Sequence, residues 1–190
     1  VAIALVVIGT SLGGLSALKL LLKELPFNFP VPIAIVQHRH RDSQSSLSHF
    51  LQQEVSLIIR EVEDKDEIIK GYAYLAPSDY HLLVEPGYFS LSTDLPVSYA
   101  RPSIDVLFES AADIYSAQTI GIILTGANHD GAQGLARIKA VGGMAIVQDP
   151  QTAESPIMPA AAIAATQVDA ILPLPQIAPY LLTHCVPKRR

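Results

Sequence analysis

Apolar positions in this chain come in blocks separated by short polar or glycine-rich corners. Residues 1–8 form a continuous aliphatic run, the pattern of a strand buried on both faces. Leu15, Leu18, Leu22 and Leu25 follow at helical spacing, and Pro26 predicts where that helix stops. A second aliphatic run, residues 33–36, ends at Gln37-His38-Arg39-His40. Strand, helix and strand predict a right-handed crossover, which brings both strand ends to one rim of a sheet. Residues 43–53 read as a polar-capped helix with Leu47, Phe50 and Leu51 inward.

The middle of the chain is less regular. Residues 56–60 and 72–77 are strand-like, and the charged residues 61–70 between them read as a solvated loop or edge. Residues 81–85 and 88–92 flank Pro86-Gly87, which predicts a β-hairpin with glycine at the left-handed position of a type II turn. Arg101-Pro102-Ser103-Ile104-Asp105 carries helix-start signals, and Ile104, Leu107, Phe108, Ala111 and Tyr115 give that helix a buried face. Strands are expected at residues 119–124, 144–147 and 168–172. Helices are expected through Leu135 and Ile138, from residue 155, and over residues 176–182. This alternation predicts a doubly wound α/β sheet with an appended antiparallel hairpin. Neither an internal repeat nor a Gly/Ser linker interrupts it, so residues 1–190 are expected to form a single domain.

Composition narrows the class. With 190 residues, 49% of them hydrophobic, the chain supports a full core and is not a disordered segment. The net charge is −5, and the one basic run is Lys188-Arg189-Arg190, so no nucleic-acid partner is expected. Cys185 is the single cysteine, which excludes an intrachain disulfide and fits a reducing, cytoplasmic setting. Gly9 and Ser11 break the first apolar run well short of a membrane span, and no charged leader precedes it. Neither membrane insertion nor a signal peptide is expected. The chain begins at Val1, which suggests a longer parent.

Three polar side chains follow three of the predicted strands: Ser11, His38 and Asp130. Ligands of open parallel sheets bind at the carboxyl ends of the strands. A serine hydroxyl becomes a nucleophile when a base takes its proton, imidazole can do so near neutral pH, and a carboxylate can fix the imidazole tautomer. Oxyanion donors would be the N–H of Leu12 and one from Gly126-Ala127-Asn128. Each residue also has an ordinary structural alternative. Ser11 and Asp130 could be helix N-caps, and His38 a structural histidine. His129 competes with His38 as the base, whereas His49, His81 and His184 read as structural or solvated. Gly9-x-Ser11-x-Gly13 matches a nucleophile elbow, but the order Ser, His, Asp excludes the α/β-hydrolase arrangement. His38, His40 and Asp42 form an H-x-H-x-D string that could serve a metal-dependent hydrolase, although no further ligand cluster completes a shell.

Gly9-Thr10-Ser11-Leu12-Gly13-Gly14 and Val36-Gln37-His38 resemble the catalytic domain of the chemotaxis protein-glutamate methylesterases (CheB). So do Tyr74-Leu75-Ala76-Pro77-Ser78-Asp79-Tyr80-His81, Arg101-Pro102-Ser103-Ile104-Asp105-Val106-Leu107-Phe108 and Leu124-Thr125-Gly126-Ala127-Asn128-His129-Asp130-Gly131-Ala132. The resemblance runs in order over nearly the whole chain. It implies a Rossmann-like, mostly parallel sheet and a serine hydrolase that needs no cofactor. It also implies Ser11 as nucleophile, His38 as base and Asp130 as acid, with Leu12 and Ala127 supplying oxyanion donors. The implied substrates are glutamyl methyl esters, and also glutamines, on the cytoplasmic helices of chemoreceptors. A receiver domain, in a longer parent chain or in trans, is the implied regulator. Three positions depart from the family pattern: Leu12 replaces threonine, Gly126-Ala127-Asn128 replaces Gly-Met-Gly, and Arg39-His40 replaces Met-Pro. Arg39 and Arg41 could steer an acidic helix. A non-catalytic binding module of the same fold is the alternative that Leu12 and Ala127 suggest.

Overall fold

The computed structural model describes residues 1–39 and 47–186. Seven strands form one parallel sheet: β1 (Leu5–Thr10), β2 (Ile33–Gln37), β3 (Ile58–Glu61), β4 (Tyr72–Leu75), β7 (Thr119–Ile123), β8 (Met144–Gln148) and β9 (Ala170–Leu172). Their order is β3-β4-β2-β1-β7-β8-β9, and every neighbouring pair is parallel. The chain passes from β1 to β2 and on to the edge strand β3, inserts β4 between β3 and β2, then crosses to the other side of β1 and winds outward through β7, β8 and β9. The strand order therefore reverses between β1 and β7, and a crevice opens outside their carboxyl ends.

Each central strand is buried on both faces, which is why it reads as unbroken aliphatic sequence. Val6 and Ile8 of β1 face one core, against α1 (Gly14–Leu22) and α6 (Leu174–Cys185). Leu5 and Val7 face the other, against α3 (Ile104–Tyr115) and α4 (Ala132–Ala140), with α5 (Ile157–Ala165) alongside. The predicted hairpin is present as β5 (His81–Glu85) and β6 (Tyr88–Ser92). It forms a two-stranded ladder of its own and lies on α3, where Ser110 Oγ accepts the Val84 N–H at 3.0 Å. Gly87 has φ 85°, the left-handed conformation its turn needs.

The helix expected near residue 43 is described as α2 (Leu47–Gln52), and residues 43–46 lie outside the described set. Leu47 and Leu51 are buried, but Phe50 is not: its ring faces outward beneath the Lys19 ammonium. One face of a two-turn helix has room for two inward residues at i and i+4, and Phe50 falls beside that stripe. Among the described residues, no helix is long and apolar enough to cross a membrane.

Phe108 fills the angle between α3, α4 and β7, touching the close-approach positions Gly121 and Gly134. Phe108→Ala is expected to lower the free energy of urea unfolding by about 3–5 kcal/mol, because a ring-sized cavity would remain.

Candidate active site

β1, β2 and β7 deliver the three singled-out residues to the crevice. Ser11 follows β1 directly, and its N–H donates to Thr125 O at 3.0 Å. Thr125 ties the two central loops together. Its carbonyl also accepts the Thr10 hydroxyl at 2.8 Å, and its own hydroxyl donates to Leu12 O at 2.8 Å. Gly126 then passes directly against Ser11: a Cβ there would stand 3.0 Å from the Ser11 Cβ and collide with the Met158 sulfur. Only glycine allows that approach. Ser11 is not a helix cap, since α1 begins after Gly13, which has φ 78° and makes no side-chain cap bond.

His38 continues the β2 ladder by donating its N–H to Thr10 O at 3.0 Å. Its Nε2 lies 2.7 Å from Asp130 Oδ2. The Asp130 carboxylate, fully buried, accepts three further bonds. These come from Ser103 Oγ at 2.9 Å, the Ile104 N–H at 2.7 Å and the Asp105 N–H at 3.0 Å. The last two belong to the first turn of α3. Asp130 is thus a cap, but of a distant helix and not of the helix that follows it, whose N-cap is Gly131. Burial alone would raise its pKa. The His38 bond and the α3 N–H groups outweigh burial and hold it below the ordinary carboxylate value. An ionised Asp130 has only acceptors, so His38 must donate through Nε2. In the neutral imidazole, Nδ1 is then the basic nitrogen.

The expected direct bond from Ser11 to His38 is not present. Both imidazole nitrogens have other partners, and the Asn128 side-chain amide stands between the two residues. Asn128 Nδ2 is 3.0 Å from His38 Nδ1 and 3.5 Å from Ser11 Oγ. Its orientation is fixed by the Asp130 N–H, which donates to Asn128 Oδ1 at 2.9 Å. Hydroxyl and imidazole therefore flank one amide, whose hydrogens point at both.

Of the proposed oxyanion donors, the Gly126 N–H already donates to Ser155 O at 3.2 Å. Leu12 and Ala127 remain as candidates on the exposed rim of the corner. Ser11, His38, Asn128, Arg101 and Tyr99 line a cleft of about 500 Å³.

Several contributors were not visible in the sequence. Gln37 reads as a last strand residue, yet its Nε2 donates to both Ser11 O and His38 O at 2.9 Å. It thereby holds the two backbone segments together. Ser103 and the side chain of Asn128 also emerge only from the fold. Arg39 lines the cleft but is not free to steer a substrate. Its Nη2 is bonded to Glu61 at 2.9 Å and to Ala76 O at 2.8 Å. Arg41, His40 and Asp42 lie outside the described residues, so the H-x-H-x-D reading gains no support. Among the described residues, no group of three His, Cys, Asp or Glu side chains is placed to hold a metal. His129 is exposed, and His81 is buried as a structural histidine: Ser103 N–H donates to its Nδ1 at 3.2 Å, and its Nε2 lies 3.0 Å from Leu95 O.

A parallel α/β domain with a polar cleft at the switch between its two central strands is the class that this architecture defines. The chain belongs to the CheB methylesterase family, whose sequence pattern matches residues 6–181. A Leptospira interrogans relative, provisionally designated a protein-glutamate methylesterase/protein-glutamine glutaminase, is 51% identical over 91% of this chain and 90% of its own length. The protein-glutamate methylesterase/protein-glutamine glutaminase of Thermotoga maritima is 36% identical over 89% of this chain. This chain spans 50% of that relative's length, and a similar share of several others. The crystal structure of the T. maritima CheB methylesterase catalytic domain matches with a TM-score of 0.92 at 35% identity, over 96% of this chain and 99% of that one.

Asp105 sits behind Asp130, accepting the Gly134 N–H at 2.7 Å. Burial, with the Asp130 charge beside it, pushes its carboxyl up to about 6. From the ordinary carboxylate value, about 4, up to that point the folded chain keeps a proton the unfolded chain has released, so stability falls as pH rises. Asp105→Asn keeps the acceptor for Gly134. It is expected to flatten the pH dependence of the urea midpoint in that window; an unchanged slope would refute this assignment.

Proposed function

We propose that this domain is a serine hydrolase that demethylates glutamyl methyl esters on chemoreceptors, acting in the cytoplasm, and that it also deamidates glutamine side chains. The observation that carries the reading is the 2.7 Å contact between His38 Nε2 and the buried, helix-seated carboxylate of Asp130, with Nδ1 turned toward Ser11 across Asn128. Family membership supports it.

Ser11 Oγ attacks the ester carbonyl carbon while His38 Nδ1 takes the hydroxyl proton. For this the hydroxyl displaces the Asn128 amide from Nδ1. Asp130 retains the Nε2 hydrogen and stabilises the imidazolium by charge, without itself taking a proton. The Leu12 and Ala127 N–H groups donate to the oxyanion. Collapse transfers the proton from Nδ1 to the leaving oxygen, releasing methanol and a Ser11 acyl ester. A water then attacks that ester with His38 again as base, regenerating the hydroxyl and leaving a glutamate. With a glutamine substrate the leaving group is ammonia. A receiver domain, joined or in trans, would regulate access.

A second reading, a non-catalytic binding module, draws on Leu12, Ala127 and the amide that separates Ser11 from His38. A fluorophosphonate probe separates the two. Covalent labelling of Ser11 is expected for the enzyme, and an unlabelled chain favours the module. Ser11→Ala is expected to lower methanol release from a glutamyl methyl ester by at least about 10³-fold, with an unchanged melting curve.

A further inference from the structure

The segment linking β6 to α3 contains a turn whose geometry does not suit its sequence. Val97 and Ala100 pair back to back, each N–H donating to the other's carbonyl at 3.0 and 2.9 Å. The two residues between them, Ser98 and Tyr99, have φ of 50° and 62°. Positive φ at both central positions defines a type I′ turn, which favours Asn and Gly and disfavours a bulky aromatic residue. Tyr99 nevertheless sits there, and no described residue covers it: its exposure is 105%. A strained residue without packing of its own persists only where its surroundings hold it in place.

Those surroundings are present at the base of the loop. Arg101 donates to Thr93 O at 2.8 Å and to Asp94 O at 3.0 Å, and its guanidinium also grips Asp79. His81 fixes Leu95 O. The base is thus clamped while the tip projects. Pro96, Ser98 and Tyr99 line the same cleft as Ser11 and His38, and Leu95 lies exposed beside them.

We propose that Tyr99 is a specificity-determining residue that receives the polypeptide carrying the scissile group. Its ring packs on the apolar or aliphatic side chains flanking the modified glutamate. An aromatic ring with two rotatable bonds offers a large contact at small entropic cost. Continuity with the Ser11 cleft identifies the occupant as the substrate's own flanking chain. The inference rests on the esterase reading of that cleft.

The test compares two substrates: a helical peptide bearing one glutamyl γ-methyl ester, and N-acetylglutamate γ-methyl ester amide. For Tyr99→Gly, the ratio of kcat/KM on the peptide to that on the small ester is expected to fall at least about tenfold, through KM. Tyr99→Phe should keep the ratio. The melting temperature of Tyr99→Gly should not drop, since glycine accepts positive φ. Should that variant unfold, Tyr99→Asn, which tolerates the same backbone, gives the same comparison. An unchanged ratio, or a loss carried by kcat alone, overturns the proposal. Hydrolysis of neither ester by the wild-type chain overturns the esterase reading and this proposal with it, whereas an unchanged ratio in an active enzyme overturns the proposal alone.

Discussion

The placement of one buried negative charge organises this molecule. The Asp130 side chain has no contact with water, so its charge must be balanced within the fold. Four donors do so, and they come from parts of the chain that are remote in sequence: His38 after β2, and Ser103, Ile104 and Asp105 at the entry to α3. A carboxylate there also meets the positive end of a twelve-residue helix. Oδ2, which accepts the Ile104 N–H at the start of the helix, therefore also orients the imidazole. The segment 125–130, α3 and the end of β2 cannot shift separately without leaving a charge or a helix end unsatisfied.

The central loops are fixed in a complementary way, by backbone carbonyls. Thr125 receives the backbone of Ser11, and Gln37 ties Ser11 O to His38 O. Ser11 is thereby held at both its amide and its carbonyl. Against this stiff frame, the side-chain amide of Asn128 is held at its oxygen by the Asp130 N–H and reaches His38 and Ser11 through its nitrogen.

What could be read beforehand, and what could not, follows from range. Strands such as residues 33–37 and 119–123 are largely buried, so their aliphatic runs are local signals, and polar residues in the corner that follows each are conspicuous. Ser11, His38 and Asp130 were legible on that ground, and the structure gathers them at one rim. The partner of each was less legible. Asp130-Gly131 looks like the cap of the helix it precedes, and no local pattern says that it caps α3, more than two dozen residues upstream. Asn128 in place of the family's glycine reads as a turn residue, and only the three-dimensional arrangement shows its side chain between an alcohol and an imidazole. The apolar side chain of Phe50 suggests an inward position, but a short helix places it off the buried stripe. Arg39 looks like free charge in the sequence because its acceptors, Glu61 at the end of β3 and Ala76 O just after β4, are remote along the chain.

The seat that Asp130 gives to α3 has a consequence for comparing sequences. An acid that seats a helix is retained by selection for folding alone, so a descendant that had abandoned chemistry would still carry it. Its presence in a relative is therefore a poor marker of a working enzyme. The Ser11 hydroxyl, whose one contact is the Asn128 amide at 3.5 Å, is the position where decay would first be written.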